Sequence, residues 1–116
     1  MKLTDAEWAV LEVLWGGECY ALGEITAALK KWNKNTVYTY LTRMETKGLV
    51  SIDHSLPKPY SAAVSREECA RKERHELLNK VYGGATGELI AAFIKDTAIS
   101  AQEVDRLKKL LEEMEV

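Results

Sequence analysis

The apolar positions at the start of the chain recur at intervals of three and four, which is the period of an amphipathic helix. The sequence TDAE at positions 4–7 has the form of a helix-opening capping box, and Gly16-Gly17 ends the helix that follows. A second pattern of the same period extends from about Leu22 to Trp32. The apolar positions that mark these two helices are Trp8, Leu11, Leu14, Trp15, Leu22, Ile25, Ala28, Leu29 and Trp32.

A third helix is predicted over residues 34–47, because Asn33 is a good N-cap and Gly48 supplies the left-handed conformation that ends a helix. Its apolar face consists of Val37, Tyr40, Leu41 and Met44. Three short helices with tight connections must pack as a tripod to bury three narrow apolar stripes. This is the arrangement of a helix-turn-helix core.

In the next segment the apolar residues recur at every second position, which is the period of a strand. Residues 49–54 alternate apolar and polar side chains, residues 60–64 do so weakly, and Pro57 and Pro59 lie between them. Two brief strands joined by such a tip form a hairpin. A three-helix core followed by a hairpin predicts a winged-helix domain over residues 1–64.

The remainder of the chain is helical again. SREE at positions 65–68 has the form of a second capping box, opening a helix that extends to about Tyr82 and is broken by Gly83-Gly84. A fifth helix is predicted from Thr86 to Lys95, and Ser100 caps a sixth. The predicted buried positions of the fifth helix are Leu89, Ile90 and Phe93.

The apolar stripes of these last helices are too wide to remain in water, yet the helices are too few to enclose an independent core. We therefore predict that residues 65–116 form a three-helix dimerisation module, giving a mainly α fold overall. Packing of these helices onto the chain's own winged helix is the alternative. The predicted interface residues are Leu77, Leu78, Val81, Tyr82, Leu89, Ile90, Phe93, Val104, Leu107, Leu110, Leu111 and Met114.

The outer face of the third helix is polar but carries few of the charges of an ordinary solvated surface. Threonine can hydrogen-bond a base edge and offers a methyl group to thymine, arginine can bind guanine bidentately, and tyrosine and asparagine can reach phosphate or adenine. We therefore predict that this face enters the major groove of double-stranded DNA, although a threonine-rich helix face can also be plain surface. Its residues are Asn35, Thr36, Tyr38, Thr39, Thr42 and Arg43.

The formal net charge of −2 argues at first against nucleic acid, but the charges are unevenly distributed. Positions 30–58 contain six basic and two acidic residues, a local charge of +4, and phosphate contact requires such a basic surface. Lys30, Lys31 and Lys34 lie at the entrance to the third helix, and Lys58 lies near the hairpin tip. We predict that these lysines contact phosphates, although each alone could be an ordinary surface charge.

Composition and cysteine spacing exclude several classes of protein. With 47% hydrophobic and 29% charged residues, no membrane-spanning apolar run and no signal-peptide pattern, the chain is expected to be a cytoplasmic globular protein. Cys19 and Cys69 lie outside any metal-ligand spacing, so we expect two reduced thiols and neither metal nor cofactor, with a redox role for Cys19 as the alternative. No catalytic constellation is recognisable, which argues against an enzyme. A winged helix that binds proteins instead of DNA is the competing class.

Three stretches carry more specific motifs: EWAVLEVLW at positions 7–15, TVYTYLTRMETKG at 36–48 and LNKVYGG at 78–84. Together they resemble the penicillinase-repressor and methicillin-resistance-repressor family (BlaI/MecI/CopY type), and the likeness extends over essentially the whole chain. The resemblance implies a homodimeric transcriptional repressor whose winged helices bind the two half-sites of a palindromic operator and block a promoter. It also implies that Thr36, Thr39 and Arg43 lead the operator contacts, supported by the other polar residues of that helix.

Two features of the family's inducible members differ in this chain. In antibiotic-responsive members, induction involves cleavage of an Asn-Phe bond in the dimerisation region; here Ala92 precedes Phe93, which argues against cleavage by a membrane sensor or protease partner. Copper-responsive members carry Cys-x-Cys pairs near the C-terminus, whereas here no cysteine follows Cys69, so the ligands for that route are absent. The sequence leaves the releasing signal open.

Overall fold

The computed structural model describes residues 2–114, so the outer ends of both predicted domains, at positions 1, 115 and 116, lie outside it. Within that range the chain forms six helices and one two-stranded sheet. This architecture confirms the predicted mainly α fold class. In chain order the elements are α1 Asp5–Leu14, α2 Leu22–Ala28, α3 Lys34–Thr46, β1 Val50–Ile52, β2 Tyr60–Ala62, α4 Arg66–Tyr82, α5 Thr86–Asp96 and α6 Ala101–Glu113.

Hydrogen-bonded caps fix α1 and α3 where the sequence predicts them. Thr4 Oγ1 accepts from the Glu7 amide at 3.2 Å and Glu7 Oε1 accepts from the Thr4 amide at 2.9 Å, so the capping box of α1 is complete. Asn33 Oδ1 accepts from the Thr36 amide at 2.9 Å and caps α3. Gly48 follows α3 with a φ of 78°, a conformation that glycine adopts without steric cost. Both ends of α3 therefore lie within one residue of the prediction.

Helix α2 is shorter than predicted, because it ends at Ala28 and does not extend to Trp32. Leu29 leaves the helical region with a ψ of 69°, and the Trp32 amide donates to the Leu29 carbonyl at 3.1 Å in a turn. The turn is required because Asn33 must be extended in order to cap α3. Leu29 and Trp32 still pack against the core, and for that reason the apolar period continues past the end of the helix.

The two strands pair antiparallel, with Val50 opposite Ala62, and each is three residues long, shorter than the sequence predicts. Tyr20, from the connection between α1 and α2, exchanges two backbone hydrogen bonds with Tyr60, at 2.8 and 3.0 Å. These bonds attach the hairpin to the helices. Three helices followed by this hairpin confirm the predicted winged helix.

The core of the winged helix is formed by α1, α2, α3 and the hairpin, and the first turn of α4 also contributes to it. Trp8 and Trp15, predicted on the core face, are half-buried and pack against the core with their rings edge to face, 5.6 Å between centroids. Burying apolar side chains in this way is the main driving force for folding. The buried members are Val10, Leu11, Leu14, Ile25, Val37, Leu41, Met44, Val50, Tyr60 and Cys69.

Helix α4 begins at its predicted cap. Ser65 Oγ accepts from the Glu68 amide at 3.1 Å and also lies 3.3 Å from Glu68 Oε1. Cys69, one turn further on, is buried in the winged-helix core. By compactness the chain divides inside α4, into Met1–Glu73 and Arg74–Val116, which is later than the predicted boundary after residue 64. The reason is that the first turns of α4 pack with the winged helix.

The second unit contains the end of α4 together with α5 and α6. Gly83 and Gly84 take φ values of 56° and 87° and end α4, and Ser100 Oγ accepts from the Glu103 amide at 3.2 Å to cap α6, as predicted. None of the helices within residues 2–114 has both the length and the apolar content needed to cross a membrane.

The burial of α5 that was predicted against a second copy is not found within the single chain. No residue of Thr86–Asp96 is buried: Leu89 is half-buried, while Ile90 and Phe93 are exposed by 41% and 55%. No residue of Ala101–Glu113 is buried either.

Candidate nucleic-acid interface

Helix α3 turns its apolar face inward and leaves its polar face accessible. Val37, Leu41 and Met44 are fully buried. Of the six residues predicted to enter the major groove, Thr36 is half-buried near the start of the helix and the other five are exposed. The fold therefore leaves the predicted recognition face available to a ligand, and its contact with DNA stays a prediction. The exposed residues are Asn35, Tyr38, Thr39, Thr42 and Arg43.

Three of the threonine hydroxyls of α3, those of Thr39, Thr42 and Thr46, already bond to the helix backbone. Thr39 Oγ1 donates to the Asn35 carbonyl at 2.9 Å, Thr42 Oγ1 donates to the Tyr38 carbonyl at 2.8 Å, and Thr46 Oγ1 donates to the Thr42 carbonyl at 3.3 Å. A hydroxyl has a single proton, so while these bonds persist the threonines offer a ligand only oxygen lone pairs and methyl groups. The sequence left donation and acceptance equally open, whereas this geometry favours acceptance and apolar contact.

Arg43 lies in the last turn of α3 and is exposed. Among residues 2–114 it has no ion-pair partner. Its planar guanidinium, with five donors in a fixed fork, is therefore available to bind the edge of a guanine or a phosphate group.

The predicted phosphate-binding lysines fall into two groups. Lys30, Lys31 and Lys34 are exposed in the turn before α3 and at its first residue. Lys58 instead pairs with Glu24 of α2, with 3.3 Å between Nζ and Oε2 and both side chains about half exposed. Surface pairs of this kind contribute little free energy, so a phosphate can compete with Glu24 for Lys58.

The turn that carries Lys30 and Lys31 is held by an aromatic stack. The rings of Trp32 and Tyr40 lie 4.9 Å apart between centroids, with 23° between their planes. Offset stacking of this kind adds to the free energy gained from burial alone. The stack joins the turn to the middle of α3 and so fixes the two lysines relative to the recognition face.

An ion pair joins the end of α3 to the start of α1. Lys47 Nζ lies 2.7 Å from Glu7 Oε2, and the Glu7 side chain is only 5% exposed. Burial raises the pKa of the Glu7 carboxyl, but hydrogen bonds from Lys47 and from the Thr4 amide lower it by more, so its net pKa is below the ordinary value. Sequence reasoning identified Glu7 as a capping residue and missed this second contact, because Lys47 lies 40 positions away.

At the tip of the wing, Asp53 organises the turn. Its Oδ1 accepts from Ser55 Oγ at 2.6 Å and from the Ser55 amide at 3.0 Å, and these bonds lower the pKa of the Asp53 carboxyl. His54 and Lys58 are exposed in the same segment. The wing segment therefore carries a charged carboxylate as well as a lysine, which makes it less basic than the entrance to α3.

Both cysteines are free thiols. Cys19 is exposed in the connection between α1 and α2, whereas Cys69 is buried in the core. Burial raises the pKa of the Cys69 thiol, which makes it less reactive.

The second unit exposes the apolar residues that were predicted to form the dimer interface. Leu78, Tyr82 and Leu89 are half-buried, and the other predicted interface residues are exposed in the single chain, by as much as 64% for Met114. An exposed apolar surface formed by nine large side chains usually marks an interaction site. The exposed members are Leu77, Val81, Ile90, Phe93, Val104, Leu107, Leu110, Leu111 and Met114.

Two isoleucines belong to the same apolar surface but were not predicted there. Ile94 is 53% exposed and Ile99 is half-buried. Together with Val104, Leu107 and Leu111 they line a groove of about 410 Å³. The helical spacing of Ile90 and Ile94 was the signal that could have identified Ile94.

A winged helix with an accessible polar recognition face and a basic entrance is the architecture of a DNA-binding transcriptional regulator. A family model described as "Penicillinase repressor" matches residues 3–113. The chain belongs to this family, which consists of transcriptional repressors and not of enzymes. The resemblance seen in the sequence is thereby confirmed.

Similar proteins include a penicillinase repressor of Staphylococcus aureus, which is 25% identical over 118 residues, covering 98% of this chain and 94% of the relative. The methicillin resistance regulatory protein MecI of Staphylococcus aureus strain N315 is 26% identical over 115 residues, covering 95% and 93%. A penicillinase repressor of Bacillus licheniformis is 26% identical over 117 residues, covering 97% and 91%. Among solved structures, a MarR/EmrR family transcriptional regulator from Acinetobacter sp. ADP1 aligns with a TM-score of 0.45 and 18% identity, covering 96% of this chain and 72% of that one.

Proposed function

We propose that this repressor acts as a homodimer that binds a palindromic operator and blocks transcription until a signal releases it. The observation that carries the proposal is the two-sided construction of α3, whose apolar face is fully buried while its polar face is exposed. A helix held in this way can enter a major groove without unfolding any part of its domain. Because operator DNA lies in the cytoplasm of a bacterium, the protein is proposed to act there.

The roles of the residues follow from their chemistry. Arg43 reads a guanine, while Thr36 and Thr39 accept a hydrogen bond or contact a thymine methyl group. Asn35, Tyr38 and Thr42 support them, and the lysines at the entrance to α3 and at the wing contact phosphates.

The exposed apolar surface of the second unit supports the homodimer. Helices α5 and α6 have no buried residue within Thr86–Asp96 and Ala101–Glu113, so a second copy would remove a large apolar area from water. A two-fold dimer presents two identical recognition helices, and two-fold symmetry of the protein requires two-fold symmetry of the operator.

Release is proposed to occur by a route other than cleavage between Ala92 and Phe93. That peptide bond lies inside α5, and alanine replaces the asparagine of the cleaved relatives. A protease reaches exposed loops more readily than helical backbone.

Binding of the full-length protein to random-sequence duplex DNA, measured by fluorescence anisotropy at two salt concentrations, tests the proposal. Neutralised phosphates make affinity fall steeply as salt increases, and Lys34→Ala reduces that dependence. Lys95→Ala, which removes an exposed lysine of α5, is the matched control and leaves the salt dependence unchanged. Absence of binding at both salt concentrations would reject the repressor mechanism and favour a protein-interaction module.

A further inference from the structure

A cavity of about 460 Å³ lies in the winged helix, between α1 and the segment that joins α2 to α3. Its walls are mostly apolar, since Ala6 and Ala9 of α1 and Ala28 at the end of α2 line it together with Leu29 and Trp32. A volume of this size lies within the range of pockets that bind small organic molecules. We call it the Trp32 cavity.

The walls of the Trp32 cavity are held in place by contacts outside it. The Trp32 amide donates to the Leu29 carbonyl at 3.1 Å, and the Trp32 ring stacks on Tyr40 of α3. Leu29 and Trp32 also pack against the core of the winged helix. A ligand that enters such a cavity does not have to order its walls first, which favours binding. The indole of Trp32 also offers an aromatic surface to a ring of the ligand.

The charged residues of the lining favour an anion. Lys30 and Lys31 line the cavity and are exposed, and neither forms an ion pair within residues 2–114. Asp5 also lines the cavity, so two lysines and one aspartate leave the lining with a net positive charge. An ammonium group donates charge-assisted hydrogen bonds to a carboxylate, and these are stronger than bonds between neutral groups. The lining therefore complements a molecule that joins an apolar body to a negative charge.

Lys30 and Lys31 are also the lysines that are proposed to contact phosphates at the entrance to α3. A lysine that holds a carboxylate in the cavity is less available to neutralise a phosphate, so anion and DNA oppose one another at these two side chains. Such coupling is reciprocal, because an anion that weakens DNA binding is itself bound more weakly when DNA is present.

We propose that the Trp32 cavity binds a small organic anion with an aromatic body, of the class of aromatic carboxylates, and that its occupancy weakens DNA binding through Lys30 and Lys31. The cavity would then supply a releasing signal that needs neither cleavage nor metal. The effect on DNA rests on the proposed function, whereas binding of the anion does not.

The first experiment titrates the full-length protein with naphthoate, a two-ring carboxylate, and locates its contacts by amide NMR spectra. Naphthylmethanol, which has the same rings and no charge, is the matched compound. Ala28→Leu places a larger side chain at an exposed position of the lining and obstructs the cavity. Ala27→Leu, at the neighbouring exposed position outside the lining, is the matched control. The double substitution Lys30→Ala with Lys31→Ala removes the charge and keeps the apolar walls.

Naphthoate is expected to shift the amide signals of Ala6, Ala9 and Trp32 saturably and to bind about 3-fold more tightly than naphthylmethanol. Ala28→Leu should weaken naphthoate binding by about 10-fold, because its added carbons fill the space of the rings, while Ala27→Leu should bind as the wild type does. The double lysine variant should bind the two compounds equally. Thermal melting identifies any variant that does not fold, and the double lysine variant carries the test if Ala28→Leu is one.

The second experiment measures the binding of random-sequence duplex DNA by fluorescence anisotropy with and without saturating naphthoate. Naphthoate is expected to raise the dissociation constant of the wild type and of Ala27→Leu by about 5-fold or more. An equal concentration of sodium chloride replaces naphthoate in the reference titration, because added salt alone weakens DNA binding. Ala28→Leu should bind DNA as the wild type does and should not respond to naphthoate.

Three results would overturn the inference. Naphthoate may shift no signal saturably, or only signals of the groove lined by Ile94 and Leu107, which places binding outside the cavity. Equal affinity of the wild type for naphthoate and naphthylmethanol rejects recognition of the charge. Unchanged DNA affinity at saturating naphthoate rejects the coupling. A protein that binds no DNA before naphthoate is added contradicts the proposed function instead, and the NMR titration still decides whether the cavity binds the anion.

Discussion

Lys47 Nζ lies 2.7 Å from Glu7 Oε2, so the residue that ends α3 is paired with a buried carboxylate in the first turn of α1. Glu7 is the only charged residue that is buried within residues 2–114, and 3% of the whole residue is exposed. Its two carboxylate oxygens serve different partners, since Oε1 accepts from the Thr4 amide and Oε2 accepts from Lys47. The pair thus connects the cap of one helix to the end of another.

Replacing Lys47 with Ala is expected to destabilise the winged helix by about 1–3 kcal/mol, because the buried Glu7 carboxylate loses its cation and a hydrogen bond. Urea unfolding followed by circular dichroism measures the change. Lys95→Ala, an exposed lysine in α5, serves as the control and should change the free energy of unfolding by no more than about 0.5 kcal/mol. Equal stability of the two variants would show that the pair contributes nothing.

The stability contributed by Glu7 is expected to depend on pH. Because the pKa of folded Glu7 is below its ordinary value of 4.5, its contribution is fully present above pH 4.5 and is lost as the pH falls through the lower, folded pKa. The free energy of unfolding of the wild type minus that of Glu7→Gln should therefore shrink on acidification below pH 4.5. Taking the difference cancels other carboxyls with lowered pKa values, such as Glu12 and Asp53. A difference that stays constant over this range would contradict the assignment.

Arg43→Ala is expected to weaken specific operator binding by about 1–3 kcal/mol and to relax the base preference at one position of each half-site. Lys34→Ala should instead weaken binding to all sequences alike and reduce the salt slope by about one. Anisotropy titrations with the operator and with single-base variants separate the two patterns. Retention of the full base preference by Arg43→Ala would reject the role of Arg43 in base reading.

Substitutions at Thr39 test what its side chain offers to DNA. Thr39→Val keeps the methyl group but removes the hydroxyl, whose proton is donated to the Asn35 carbonyl, so it should bind the operator nearly as well as the wild type if the methyl group makes the contact. Thr39→Ser keeps the hydroxyl but loses the methyl group, at a cost of about 0.8 kcal/mol if that group is buried against thymine. The opposite order of affinities would mean that the hydroxyl oxygen, and not the methyl group, contacts the base.

The double substitution Leu107→Asp with Leu110→Asp is expected to give monomers, because two carboxylates would be buried in the proposed interface. Light scattering measures the mass, and operator affinity should fall sharply because the second half-site is no longer bound intramolecularly. Lys109→Asp, on the same helix but outside the apolar stripe, is the control. A double variant of dimeric mass would place the interface elsewhere.

The features that the sequence predicted well are those encoded within four residues. The capping residues Thr4, Asn33 and Ser100 and the glycine after α3 lie where local rules place them, since each bonds to backbone less than a turn away. The end of α2 was misjudged because Trp32 continues the apolar period through a turn.

Contacts between distant positions were not predictable in the same way. Glu7 with Lys47, and Glu12 with Arg66, lie 40 and 54 positions apart, and a charged residue on a helix gives no local sign of its partner. Phe93 was predicted to be buried against a second copy, and in the single chain it is exposed by 55%. Which face of α3 is exposed, in contrast, followed from residue type and helical period alone.

The most direct test of the central claim is to select the duplexes that the full-length wild-type protein binds from a fully randomised pool. The account predicts that the enriched sequences share an inverted repeat whose halves are spaced by about one helical turn or a multiple of it. Enrichment of a single unrepeated site, or of no sequence at all, would contradict the claim that two α3 helices read one operator together.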